Sequence, residues 1–324
     1  MPLPYETAHL LVINLQKLAS SDLQETQKLL EACEAHGFFY LDLKESEGFK
    51  KDWSSILVLM QTYFSQPLAL KMQDAYQSDT WGYEPVGTSS GVNQKLDDYE
   101  SLKISREEIK YSDQFLRTEI AKKNSKLFRR FMNEVHAITE TILASLSAGL
   151  KLDENTALGT YHSDAQPSRT TLSLFRYPKI EPTTLGQGHN KHTDLGTLTL
   201  LLAKQWGLEI LSSEGTGWKP VQPSGDYAII NVGDTLRFLT GKKLKSAVHR
   251  VVPTEELKHT DRFSIAYFLR AADDVRFFDS KERSFSAKDW HDTKFDVFRQ
   301  SYEEQEAEIF LTGGMEKSDV LLAV

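Results

Sequence analysis

The sequence predicts a mainly β core of jelly-roll type, a sandwich or barrel, preceded by a helical N-terminal region and closed by a C-terminal helix. Three observations carry this. Apolar residues recur at helical spacing through the first half of the chain. Short β-branched or aromatic runs separated by turn residues fill the second half. No repeat, low-complexity tract or linker divides the two. Residues 1–324 therefore read as a single domain: 1–150 mostly helical, 168–285 the jelly-roll core, and 286–324 a helix and tail.

SDLQETQKLLEACEAHG opens with Ser21 and has Gln24 in the capping-box position. Leu23, Leu30 and Cys33 follow at helical spacing, and Gly37 closes the segment. FFYLDL is a short strand. A second helix is expected over 53–64, and Pro67 opens a third. Over 114–150 the series Phe115, Ile120, Phe131, Val135, Ile142 and Leu146 predicts a long helix, broken near Asn124 and ended at Gly149. RTTLSLFRY, LGTLTLLLA, LEIL, DYAIINVG, AVHRVV and RFSIAYFLR then read as strands, with turns at GQG, SSEGTG, QPSGD and TGKK. A last helix is expected over 286–308, with Trp290, Phe295 and Phe298 on its apolar face.

Composition narrows the function. A formal net charge of −8 without a long Lys/Arg block argues against nucleic acid or an anionic membrane as partner. Mean hydropathy is −0.42, and the longest apolar run falls far short of a membrane span. The start of the chain, MPLPYETAHLL, shows no secretory leader. Cys33 is the single cysteine, which excludes an internal disulfide and fits a reducing compartment. A cytoplasmic enzyme with a small-molecule substrate is the expectation; oligomeric state is not legible.

The chemistry starts at HTDLGTLTLL. In a strand, residues two apart share a face, so His192 and Asp194 are expected to grip one ion from the same side. A third ligand is needed, and His249 in SAVHRVVP is the candidate. Two histidines and a carboxylate are the facial triad of non-haem Fe(II) oxygenases, which leaves positions for a co-substrate and O2. H-x-D alone is a weak signal. The second copy, His162-Ser163-Asp164 in TYHSDAQPS, reads as a solvated turn, and GQGHN offers no helix to align His189 with His192. Downstream, Arg262 and Ser264 again share a face. A guanidinium fork beside a hydroxyl suits a carboxylate, with the Tyr177 phenol able to assist, although an intramolecular salt bridge is the plainer alternative.

In order and content, HTDLGTLTLLLAK, GDYAIINVGDTLRFLTGKKLKSAVHRVV and RFSIAYFL resemble the core block of the iron(II)/2-oxoglutarate-dependent dioxygenases, in the isopenicillin N synthase branch. EAHGFFYLDL, WGYEPVG and DDYESLKIS resemble that family's N-terminal signatures. The resemblance implies a double-stranded β-helix, cupin-like core holding Fe(II) through His192, Asp194 and His249. It implies 2-oxoglutarate chelating the iron, with its distal carboxylate on Arg262 and Ser264 and Tyr177 assisting. It further implies oxidation of a small molecule, as in specialised metabolism, with release of succinate and CO2. Hydroxylation, desaturation and rearrangement stay open, while the retained Asp194 argues against halogenation. By position, His189 and Phe268 are expected to line the substrate pocket. Arg176 and Arg270 are weaker candidates, read more simply as surface or salt-bridged arginines. Two departures stand out: a longer turn at TEELKHTD, and Phe175 where plant members of the family carry asparagine. Two alternatives stay open. One is an Fe(II) oxidase of the isopenicillin N synthase or amino-cyclopropane oxidase type that does not consume 2-oxoglutarate; the other is a non-catalytic binding jelly roll.

Overall fold

The structure, a computed structural model, describes residues 6–88, 98–111, 115–179, 189–212, 217–252, 254–307 and 310–315. The expected turn at 186–188, most of that at 212–217, and the expected helix ends at Gln114 and Glu308 lie outside the described residues.

The chain opens with β1 (Val12–Asn14), α1 (Leu15–Ala19) and α2 (Leu23–Ala35). The cap of α2 is Asp22 rather than the expected Ser21. Asp22 has extended backbone and its carboxylate accepts the Glu25 N–H at 2.8 Å, whereas Ser21 sits at φ 58°, outside capping geometry. Leu23 is consequently 83% exposed, and Leu29, Leu30 and Cys33 form the buried stripe. Burial pushes the Cys33 thiol pKa well up, so it is a packing residue as expected. Gly37 ends the helix at φ +67°, and a Cβ there would lie 2.1 Å from the Lys245 carbonyl oxygen, so no other residue fits. β2 (Phe38–Asp42) follows.

α3 (Glu47–Phe64) starts before the expected 53, because Phe49 already faces the core. α4 (Leu68–Lys71) follows Pro67, then come β3 (Gly82–Glu84), β4 (Glu100–Ser105) and α5 (Arg106–Lys110). The expected helix over 114–150 is two helices, α6 (Glu119–Lys123) and α7 (Ser125–Gly149), with Phe115 outside both and exposed. They part at Asn124, whose side-chain amide donates to the Ile120 carbonyl at 2.9 Å. The strands continue as β5 (Thr171–Tyr177), β6 (His189–His192), β7 (Leu198–Ala203), β8 (Leu208–Leu211), β9 (Trp218–Pro220) and β10 (Tyr227–Val232). After α8 (Asp234–Leu239) come β11 (His249–Val251), β12 (Arg262–Leu269) and the hairpin of β13 (Arg276–Phe278) and β14 (Ser284–Ser286). The enlarged turn before β12 holds a short 3-10 helix, Glu255–Lys258. The tail is α9 (Ala287–Phe298) and α10 (Tyr302–Ala307) rather than one helix. Ser301 and Glu304 interrupt it by capping each other's backbone N–H.

An eight-stranded sheet in the order β1-β2-β10-β7-β12-β5-β4-β3 faces a four-stranded sheet β6-β11-β8-β9, forming the double-stranded β-helix core. β12 shows how the layers are built. Ile265, Tyr267 and Leu269 point to a core shared with Phe128, Phe131, Val135 and Ile142 of α7, while Arg262, Ser264, Ala266 and Phe268 point between the sheets. The helical region is thus the outer cover of the larger sheet.

His162-Ser163-Asp164 is a solvated turn only in part, since Ser163 and Asp164 are exposed but His162 is not. His162 is buried at the end of a 3-10 helix, its Nδ1 2.8 Å from the Leu158 carbonyl oxygen and its Nε2 2.7 Å from Thr197 Oγ1. Asp164 pairs with Arg106 at 2.5 Å. Burial depresses the His162 pKa to about 4, and burial together with Arg106 does the same for His136. Both are neutral in the fold but titrate near about 6.5 when unfolded. The unfolded chain therefore binds more protons between these values. This stability is complete above about pH 6.5 and is lost as pH falls towards 4. Urea midpoints measured from pH 7 to 4.5 should decline, and His162→Gln should flatten that decline.

Candidate active site

His192 and His249 are direct cross-strand partners on β6 and β11, which is why their imidazoles converge, with ring centroids 4.3 Å apart. Asp194 is not on the strand as expected. β6 ends at His192, and Asp194 lies in the crossover that carries the chain to β7 in the other sheet. The carboxylate arrives by tertiary fixation instead of strand periodicity. One ligand atom from each of His192, Asp194 and His249 lies within 4.8 Å of the others, and all three residues are buried.

The donor set is presented for a cation. His192 Nδ1 is 2.7 Å from the Asn190 carbonyl oxygen and His249 Nδ1 is 3.1 Å from that of Ala247. Each Nδ1 therefore carries the proton, leaving the Nε2 lone pair free. Asp194 Oδ2 accepts from Thr199 Oγ1 at 2.5 Å and Asn231 Nδ2 at 2.7 Å. The other oxygen, Oδ1, faces both Nε2 atoms at 3.5 and 3.7 Å. Burial opposes the Asp194 charge, but His249, His192 and the Asn231 amide outweigh it and hold the carboxyl pKa well below the usual range. Burial, then the neighbouring His192, lowers His249 to about 4, so its imidazole is neutral. Two imidazoles that turn their Nε2 atoms inward and one carboxylate with a free oxygen fit a divalent first-row metal.

Thr193, between the two ligands, is clamped. Its hydroxyl donates to Asp234 Oδ2 at 3.0 Å and accepts from Lys294 Nζ at 2.8 Å. Lys294 and Asp234 also pair directly at 2.5 Å, both with fully buried side chains. The Asp234 N–H donates to the Asp194 carbonyl at 2.7 Å, and Ser246 Oγ donates to Asp234 Oδ1.

An inner cavity runs from the three candidate ligands between the sheets to Arg262, Ser264 and Tyr177. Arg262 lies opposite Tyr177 across β12 and β5, its guanidinium 4.8 Å from the phenol ring centroid. Its Nε donates to the Trp206 carbonyl at 2.9 Å, while Nη1 is buried with no acceptor. Burial lowers its pKa. A buried guanidinium with an unmet donor calls for an anion. An outer cavity opens on the other side of the ligands, where His189, Phe268, Arg270, Phe295 and Phe298 line it.

A model of the 2OG-Fe(II) oxygenase superfamily matches residues 168–271, and one for the N-terminal region of non-haem dioxygenases in morphine synthesis matches 10–125. The chain belongs to this oxygenase superfamily. It is a dioxygenase that uses Fe(II), 2-oxoglutarate and O2. It is 50% identical to the 2-oxoglutarate-dependent dioxygenase frbH of Dothideomycetidae sp., over 96% of this chain and 97% of that one. It is 43% identical to the 2-oxoglutarate-dependent dioxygenase gloE of Glarea lozoyensis, over 98% and 96%. In fold it resembles Neurospora crassa T7H in complex with alpha-KG, with TM-score 0.71 at 21% identity over 85% of this chain and 92% of that one.

Of the sequence candidates for substrate contact in this dioxygenase, His189 and Phe268 line the outer cavity. His189 stacks on His192 at 4.4 Å and on Tyr99 at 4.9 Å, and burial lowers its pKa well below the usual value. Arg176 does not reach the cavity. On β5 it alternates with Phe175 and Tyr177, so it points away, to Glu100 at 2.6 Å and Asp261 at 2.8 Å. Arg270 is not a surface arginine, and among the described residues it has no salt bridge; it is buried in the cavity wall. Phe175, at the family's asparagine position, lines both cavities. Sequence reasoning missed Asn231, Thr199, Asp234, Lys294, Tyr99 and Lys103. The Asn in DYAIINVG, an amide inside an apolar strand, was the one available signal.

Asn231→Ala should weaken Fe(II) binding roughly 10- to 100-fold by removing one of the two bonds that hold Asp194 Oδ2, measurable by anaerobic competition with a chelator of known affinity. Lys294→Ala strands the Asp234 charge and should cost about 3–5 kcal/mol in urea unfolding, with Fe(II) affinity falling in parallel.

Proposed function

We propose that His192, Asp194 and His249 hold the Fe(II), and that Arg262, Ser264 and Tyr177 receive the distal carboxylate of 2-oxoglutarate. The outer cavity then takes a small molecule of specialised metabolism, which is oxidised at a C–H bond by hydroxylation, desaturation or rearrangement. The observation that carries this reading is the inner cavity, with three converging candidate metal donors at one end and a buried guanidinium whose Nη1 lacks an acceptor at the other. Specialised metabolism is supported by the morphine-synthesis description of the matching N-terminal family. We place residues 1–324 in one oxygenase domain, because α7 and β12 share a core, and in the cytoplasm, in keeping with one buried cysteine. Among the described residues no helix is long and apolar enough to cross a membrane.

Bound Fe(II) supplies, with O2 and 2-oxoglutarate, the oxidising power to break an unactivated C–H bond while 2-oxoglutarate becomes succinate and CO2. The chain's own work is positional. Asn190 and Ala247 carbonyls fix the imidazole tautomers, Thr199 and Asn231 fix which Asp194 oxygen faces inward, and Arg262 with Ser264 sets the reach of the co-substrate. Phe175, Phe268 and Phe298 exclude water from the reacting carbon.

Anaerobic calorimetry should show 2-oxoglutarate binding only once Fe(II) is present. Arg262→Gln should weaken that binding by roughly 100-fold, the cost of truncating one partner of a buried charge pair. Admission of O2 with a substrate panel should then release succinate. Fe(II)-independent binding of 2-oxoglutarate, or turnover without it, would overturn the assignment.

A further inference from the structure

β12 carries one arginine at each end of the same face. Arg262, Ser264, Ala266 and Phe268 alternate inward, and Arg270 continues the series just past the strand. At about 3.3 Å per residue the two arginines stand roughly 25 Å apart, with the metal ligands alongside the span between them. Arg262 serves the inner cavity. Arg270 serves the outer one.

Arg270 is only 6% exposed, and among the described residues it is the cation of the outer cavity with no carboxylate in ion-pair contact, although the charges of Asp194, Asp79 and Asp273 act on it from further away. Two other cations line that cavity. Lys103 pairs with Glu84 at 2.8 Å, and Arg299 pairs with Asp79. Arg270 has no ion pair within 4.0 Å among the described residues; Nη1 donates to the Arg169 carbonyl, and Nε is buried with no acceptor. Phe268 and Phe295 lie beside its guanidinium, with centroids at 5.6 and 5.8 Å. Aromatic faces give partial compensation but accept no in-plane hydrogen bond. His291, packed on Phe295 at 4.5 Å, adds no negative charge. Burial, then the charge of Arg270, lowers its pKa to about 2 and keeps its ring neutral. Burial also lowers the Arg270 pKa to about 10, which leaves it charged at neutral pH. A buried, charged fork with an unmet donor is costly unless an anion completes it.

We infer that Arg270 is the anchor for a carboxylate on the substrate, so the enzyme oxidises a small carboxylic acid at a carbon a few bonds from that group. The inference rests on the oxygenase function proposed above. Arg270 and the metal ligand Asp194 line the same cavity, so an acid held at Arg270 lays its neighbouring carbons towards the iron site. Phe268, Phe295 and Phe298 then surround an apolar stem, and the acidic Asp79 and Glu84, both already paired, do not compete for the anchor.

The test uses matched acid and primary-amide probes: butanoate, hexanoate and phenylacetate against butanamide, hexanamide and phenylacetamide. Each is titrated calorimetrically, without O2, into enzyme saturated with Fe(II) and 2-oxoglutarate, so that Arg262 is occupied. The acids should bind roughly 10- to 100-fold more tightly than their amides, the worth of a hydrogen-bonded buried charge. Arg270→Gln should abolish that preference while leaving 2-oxoglutarate affinity unchanged, and Arg270→Lys should keep part of it. Melting temperatures of both variants check folding. Equal affinity for acid and amide, no binding of any acid, or a preference that survives in Arg270→Gln would each overturn the carboxylate anchor. Failure of 2-oxoglutarate to bind the wild type in the first titration would instead overturn the oxygenase assignment, and the two failures are therefore distinguishable.

Discussion

The structure depends on one buried carboxylate, Asp234. From the first residue of α8 it takes a charge from Lys294 of α9, a hydroxyl from Thr193 and another from Ser246, and its backbone N–H holds the Asp194 carbonyl. These bonds join the larger sheet, the crossover from the smaller sheet, and the C-terminal helix at one point. The polypeptide is packed tightly enough there that a Cβ on Gly233 would lie 2.2 Å from the Gly196 carbonyl oxygen. A pair of this kind contributes little net stability compared with an apolar replacement, since desolvation offsets most of the attraction. What it supplies is geometry, because Thr193 cannot shift without breaking a bond to a fully buried charge. The flanking His192 and Asp194 inherit that rigidity.

The two cavities follow from the same construction. One face of β12 runs the full depth of the space between the sheets, and the metal donors interrupt it from the opposite wall. Polar groups inside are almost all satisfied by the chain. Asp194, Asn231 and Thr199 satisfy one another, and His192 and His249 use backbone carbonyls. Arg262 Nη1 and Arg270 Nε are left without acceptors. Among the described residues that line the two cavities, these two guanidinium donors are the buried side-chain polar atoms left unmet, and each belongs to a different cavity.

The strands that are rich in β-branched and aromatic residues were legible from the sequence, as was the face shared by Arg262 and Ser264. His192, Asp194 and His249 were legible as a set, but the reason given for their convergence was wrong in part. HNKH lacks any β-branched or aliphatic residue, so β6 was invisible, and Asp194 was assigned to a strand it does not occupy. Helix boundaries erred where two polar residues compete for a cap, as Ser21 and Asp22 do. They erred again where Ser301 caps a new helix beyond Phe298, the last residue of the apolar series. Lys294 was illegible for a different reason. In DWHDTKFDVF a lysine among acids looks solvated, and only tertiary structure brings it to Asp234. Arg270 was seen but read as a surface or paired charge, because a sequence does not show which cations have found a carboxylate.

Helix α9 bears two unrelated duties on adjacent turns. Phe295 and Phe298 form the rim of the outer cavity, while Lys294 secures the crossover beneath it. Selectivity and site geometry are thus separable only at Phe295, since Phe298 packs edge-on against His192 with ring centroids 5.6 Å apart. Diversification at Phe295 can remodel what is admitted while the Lys294 clamp stays in place. An exchange of the whole tail between relatives, by contrast, succeeds only where the incoming segment brings its own ammonium group to the same depth.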